Sequence, residues 1–122
     1  MKHPQTVAVD LDGVLAAYDF WRGKEHIGEP ISGAHLFLTQ LKLMGFNVTV
    51  HTSRQERHAM DYVRAWLKEN EMPYDELWEA QGKPLAVAYV DDRGVECRPQ
   101  ENSMYDFARA LDRVRFLSGA AK

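Results

Sequence analysis

Thr6-Val7-Ala8-Val9-Asp10-Leu11-Asp12-Gly13-Val14-Leu15 is an apolar, β-branched run that ends in two carboxylates one residue apart, followed by a glycine. Val7 and Val9 favour extended backbone, and a short apolar run of this kind suits a strand buried in a parallel sheet. Open α/β sheets bind their ligands at the carboxyl ends of the strands, so this strand would deliver Asp10 and Asp12 to such an edge. Residues two apart on an extended chain share a face. Gly13 lets the backbone turn away with no Cβ in the way. Taken alone, the acid pair also fits ordinary turn formers at a strand end.

Working outward, residues 16–30 mix Tyr18, Phe20 and Trp21 with charges and glycines, which predicts an irregular loop or small hairpin over the strand end. Loop aromatics such as Phe20 and Trp21 are candidates for contact with substrate or a partner chain. Ala34, Phe37, Leu38, Leu41 and Met44 fall on one face of a helix predicted over 32–44, stopped by Gly45. A second strand follows over 46–52, with Phe46, Val48 and Val50 on one face. His51 is read as a structural residue facing away from Thr52. Ser53 and Glu56 match a capping box, predicting a helix from Ser53 to about Asn70 with Met60, Val63 and Leu67 as its stripe and Trp66 in the core. Glu76 to Ala80 reads as a short strand and Gln81 to Pro84 as a turn. Leu85-Ala86-Val87-Ala88-Tyr89-Val90 reads as a second buried strand, and it ends in Asp91-Asp92. Val95 to Cys97 suggests a short edge strand, Ser103 with Asp106 another cap, and Met104, Phe107, Ala108, Leu111 and Val114 the buried stripe of a final helix.

Strands alternating with helices imply βαβ crossovers and a mainly parallel sheet. The expected fold is α/β, a single Rossmann-like three-layer α/β/α domain over residues 1–122. In such a sheet, Asp10/Asp12, Thr52/Ser53 and Asp91/Asp92 all reach the same edge. These residues resemble the motifs of the haloacid dehalogenase superfamily of aspartate-based phosphohydrolases, in the right order and over essentially the full chain. Asp10-Leu11-Asp12-Gly13-Val14-Leu15 is similar to that family's first motif, Val48-Thr49-Val50-His51-Thr52-Ser53-Arg54 to its second, and Val90-Asp91-Asp92 to its acidic fourth. Lys83 would be the third-motif lysine. The family's lysine commonly opens a helix well upstream of the acidic strand, whereas Lys83 stands eight residues before Asp91. Arg54 or Arg93 could supply the cation instead.

The resemblance implies a Mg²⁺-dependent phosphatase in which Asp10 is the nucleophile and Asp12 the general acid and base. It implies Thr52 as a phosphate ligand, with Lys83 and Ser53 beside it, although Ser53 reads first as a helix cap. Asp10, Asp12, Asp91 and Asp92 would hold the metal, Asp12 through its backbone carbonyl. Four carboxylates in one pocket would repel a phosphate, since unit charges ~4 Å apart interact by ~4 kcal/mol at an effective dielectric near 20, and a divalent cation offsets this. Oxygen-only ligation with substrate phosphate completing the shell favours Mg²⁺. Alternatives are a Mg²⁺ and phosphate-ligand binding module of the same fold without turnover, a polynucleotide 3′-phosphatase-like activity, and an aspartate-phosphorylated signalling receiver.

The gaps after Gly13 and Thr52 leave no room for a separate cap domain, so the site is expected to be open. It would be covered at most by the 16–30 flap or by a second subunit in a homo-oligomer. The net charge of −3 argues against strong nucleic-acid or anionic-membrane binding. With 45% apolar and 27% charged residues the chain is an ordinary globule. The single cysteine, Cys97, excludes an intramolecular disulfide and is expected to be buried. No leader and no membrane-length apolar run is present, which predicts a cytoplasmic protein.

Overall fold

The computed structural model describes residues 5–54, 56–80 and 82–119, with the side chain of Ser103 excepted. It divides into two compact units, Met1–Asp91 and Asp92–Lys122. The first is built on a strand, β1 (Thr6–Asp10), hydrogen-bonded on both edges. Its partners are β2 (Asn47–His51) and β4 (Ala88–Val90), and β3 (Glu76–Leu77) pairs with the far side of β2. All three pairings are parallel and the order is β3-β2-β1-β4. The chain is therefore an α/β protein with a four-stranded parallel sheet of Rossmann type.

Helix α1 (Ala34–Leu43) connects β1 to β2, and helix α2 (Ala59–Glu69) connects β2 to β3. Both steps run in the same direction across the sheet, so right-handed crossovers place both helices on one face. Val7, Val9, Val48 and Val50 accordingly share one core cluster with Ala34 and Leu38 of α1 and Val63, Trp66 and Leu67 of α2. Phe37 and Leu41 pack against it, whereas Met44, expected on the same stripe, is exposed. Asp75, just before β3, accepts the Val48 amide at 2.7 Å and pairs with Lys42 of α1. Burial works to raise its pKa, but Lys42 and the Val48 N–H together hold the carboxyl below its ordinary value.

After Asp10 the chain folds tightly. The Leu11 carbonyl accepts the amides of Leu15 and Ala16 at 3.0 and 2.9 Å, and Gly13, at φ 88°, supplies the left-handed residue this turn needs. Residues 16–30 are an irregular hairpin closed by the Ala16–Pro30 bridge and by Ala17 N–H to Glu29 O at 2.8 Å.

Several sequence expectations need correction. The helix predicted from Ser53 begins at Ala59, after His58 in a left-handed conformation (φ 66°). The Ser53–Glu56 capping box does not form; Gln55 within it lies outside the described residues. Arg54, inside the stretch expected to be helical, instead turns inward onto Asp12, as described below. The strand predicted over 85–90 pairs only at Ala88–Val90, and Leu85 is 93% exposed. As the edge strand, β4 has one hydrogen-bonded neighbour and little to bury against. In the turn predicted just before it, Gln81 lies outside the described residues.

Among the described residues the second unit contains one helix, α3 (Pro99–Ser118). It carries a break at Asn102, whose side chain accepts the Tyr105 amide at 3.4 Å. Asn102 thus caps the following segment, and the side chain of Ser103, expected as the cap, lies outside the described residues. The expected 95–97 strand is absent among the described residues, and Cys97 is exposed. The expected buried stripe, Met104, Phe107, Ala108, Leu111 and Val114, is exposed too. Among the described residues of its own unit, no second helix or strand covers that face. No described helix is long and apolar enough to cross a membrane.

Gly28 shows how closely the hairpin arms approach. A Cβ there would stand 2.0 Å from the Ala17 carbonyl oxygen, a backbone atom that cannot swing aside. Gly28→Ala is expected to lower stability by about 1–3 kcal/mol in urea denaturation, the range for forced overpacking.

Candidate active site

Parallel pairing brings the carboxyl ends of β2, β1 and β4 side by side. Asp10 is in register with His51, and Val9 with Val90, so Asp10 ends β1 beside the point where Asp91 follows β4. The order β2-β1-β4 also makes the β1/β4 boundary the place where strand order reverses, the usual ligand crevice of such sheets. The Leu11 amide donates to Asp10 Oδ1 at 2.9 Å and to the His51 carbonyl at 3.2 Å, which fixes how the Asp10 carboxylate leaves the strand.

Asp12 is placed differently from its neighbour. Arg54 Nε donates to Asp12 Oδ2 and Arg54 Nη2 to Asp12 Oδ1, both at 2.8 Å, in a bidentate ion pair. The Arg54 side chain is 3% exposed and that of Asp12 17%. Arg54 Nη2 also donates to the His26 carbonyl at 3.0 Å and Nη1 to the Lys24 carbonyl at 3.4 Å. The Trp21 ring lies 4.9 Å from the guanidinium. Removing one partner from a pair this deeply placed costs about 3–5 kcal/mol, because the other charge stays behind uncompensated. The flap is anchored twice more, by Lys24 Nζ to the Arg57 carbonyl at 2.6 Å and by Trp66 Nε1 to the Gly28 carbonyl at 2.9 Å.

Thr52 stands just past β2 and its Oγ1 accepts the Arg54 amide at 3.1 Å. Ser53 is exposed and caps no helix. A cleft of about 170 Å³ opens beside these residues, with Thr52, Arg54, Met60 and Trp78 in its lining. Lys83 is exposed, its ammonium 4.9 Å from the Tyr89 ring of β4. Because β4 is only three residues long, Lys83 nevertheless lies within electrostatic reach of His51 at the carboxyl edge. Asp92 and Arg93 belong to the second unit. Among the described residues no three His, Cys, Asp or Glu side chains gather into a metal-holding group. Of the four carboxylates expected at the metal, Asp12 has its side chain turned onto Arg54.

Sequence reasoning weighed Arg54 only as a phosphate cation and missed its pairing with Asp12. The signal available was its place three residues past the end of β2, where an arginine can fold back over the sheet edge.

The chain matches no family model and no curated protein. Its fold is similar to that of a conserved protein from Bacteroides thetaiotaomicron, at 21% identity and a TM-score of 0.59. It is also similar to a crystallised protein from Vibrio cholerae, at 23% identity and a TM-score of 0.52. In both cases the alignment covers 92% of this chain and 98% of the other. At these identities the likeness is one of fold.

His51 Nε2 is buried with no hydrogen-bond partner among the described residues. Burial, and then the nearby Lys83 charge, lower the His51 pKa against an opposing pull from Asp91. A base with a lowered folded pKa contributes stability that is full above its unfolded value, about 6.5, and is lost as pH falls below it. His51→Leu is expected to flatten the loss of stability as pH falls below about 6.5, read from denaturation midpoints at a series of pH values.

Proposed function

We propose that this chain is a Mg²⁺-dependent phosphatase that works through an aspartyl-phosphate on Asp10. The observation that carries the reading is the β2-β1-β4 register, which brings the end of β1 at Asp10 next to the ends of β4, before Asp91, and of β2, before Thr52. Mg²⁺ is held through one or two carboxylates, with water and substrate phosphate completing an oxygen shell. The Asp10 and Asp91 carboxylates and the Asp12 backbone carbonyl fit that demand, with Asp92 next in sequence. When bound, the cation would offset the charge that phosphate and carboxylates share.

The chain's own residues then divide the work. An Asp10 oxygen attacks phosphorus and the ester P–O bond breaks, while Asp12 gives a proton to the leaving oxygen. Water next attacks the aspartyl-phosphate and passes its proton to Asp12, and the bond from phosphorus to Asp10 breaks. A carboxylate has about four lone-pair sites, and Arg54 occupies two of those on Asp12, which leaves two to handle the proton. Thr52 and the exposed Lys83 hold phosphate oxygens, with Ser53 at the mouth. The flap is pinned at several points, so substrate enters an uncapped edge. The location that goes with this chemistry is cytoplasmic.

A second reading is favoured by one feature. Residues 78–87, which join β3 to β4, contain no helix among the described residues, and Lys83 sits on that loop. This suits a module that binds Mg²⁺ and a phosphate ligand without turnover. A panel of nucleotides, sugar phosphates, phosphorylated oligonucleotides and phosphoproteins separates the two. Mg²⁺-dependent phosphate release that falls more than about 10³-fold in Asp10→Asn supports the phosphatase. Undiminished release by that variant would sink it, and stabilisation by Mg²⁺ with fluoroberyllate but no turnover on the panel would favour the module.

A further inference from the structure

We infer that Arg54 is the positioning residue of this site, which holds Asp12 and Thr52 in a fixed relation, and is not the cation that binds substrate phosphate. The inference rests on the reading of Asp12 as proton shuttle given above. A guanidinium has five donor hydrogens in a rigid fork. Arg54 makes four hydrogen bonds with them: two to the Asp12 carboxylate and one each to the carbonyls of His26 and Lys24. One face of the group is near the Trp21 ring, and almost none of the side chain meets solvent. An incoming phosphate would have to strip a buried cation from three acceptor groups and leave Asp12 unpaired beside its own negative charge. Lys83 is exposed and pays no such exchange.

What Arg54 does reach is both halves of the site. Its side chain fixes Asp12 at the end of β1, and its backbone N–H fixes the Thr52 hydroxyl at the end of β2. A single residue thus sets the separation between the proton shuttle and the phosphate-side hydroxyl. The same guanidinium ties the flap, through His26 and Lys24, to that pair. Lysine would keep the charge but could not make the fork, since an ammonium is a point donor and cannot span two carboxylate oxygens and two carbonyls in one plane.

The test compares wild type with Arg54→Lys and Arg54→Gln, using 4-nitrophenyl phosphate and Mg²⁺. A misplaced shuttle is expected to lower kcat about 100-fold while KM stays within about threefold of wild type. In an Asp12→Asn background, Arg54→Lys should lower kcat no further, because its partner is already gone. A raised KM with unchanged kcat overturns the inference and makes Arg54 a phosphate ligand. A full additional loss in the Asp12→Asn background overturns it as well. Amide hydrogen exchange gives an arm that needs no turnover: Arg54→Lys should speed exchange at Leu15 to Ala17 and at His26, and unchanged exchange there overturns the inference. Absence of turnover in wild type would count against the phosphatase reading, while the exchange arm still decides the role of Arg54.

Discussion

The constraint on which the first unit depends is that β1 is hydrogen-bonded on both edges and closely packed. Val7, Ala8 and Val9 lose almost all contact with water, and every ladder partner is parallel. A strand in that position cannot slip by one residue without carrying Val7 and Val9 away from the helices. The register is therefore strict, and with it the placement of Asp10 at the sheet edge. The polar end of the strand inherits its precision from the apolar part.

The Arg54–Asp12 pair is the second organising contact, and it differs in kind. Buried ion pairs seldom add net stability over apolar packing of the same shape, because desolvation offsets most of the attraction. What this one does is choose a geometry. It brings Arg54, from the stretch between β2 and the start of α2 at Ala59, onto the end of β1, and it gives the flap carbonyls of Lys24 and His26 a donor.

Legibility in the sequence follows the same division. The apolar alternation of β1 and β2 could be read directly, because valines at every second position leave few other solutions. The stripe of α1 was legible for a similar reason. Ser53 and Glu56 satisfied a local rule for starting a helix, but a long-range charge pair 42 residues apart in sequence overrode it. Leu85 to Val90 looked like a core strand because apolar content alone does not tell a central strand from an edge. The α3 stripe was correctly periodic, yet periodicity states only that a face is apolar, not that anything lies against it. At the site, the strand-end positions of Asp10, Thr52 and Asp91 could be anticipated from topology, whereas the orientation of Asp12 depends on a side chain from another segment.

The anchoring of the flap also bears on how this architecture can grow. Its fixed points are Ala17, Lys24, His26 and Gly28, each tied to backbone or to a buried group. Between them, Tyr18 to Phe20 and Arg22 are exposed and carry the surface pair Asp19–Arg22, a kind of contact that contributes little, while Trp21 next to them lies by Arg54. Extra residues spliced into that short arc would leave all four anchors in place. The arc is thus a natural port for grafting a recognition segment, from which an uncapped sheet edge could acquire a roof without disturbing the strands beneath it.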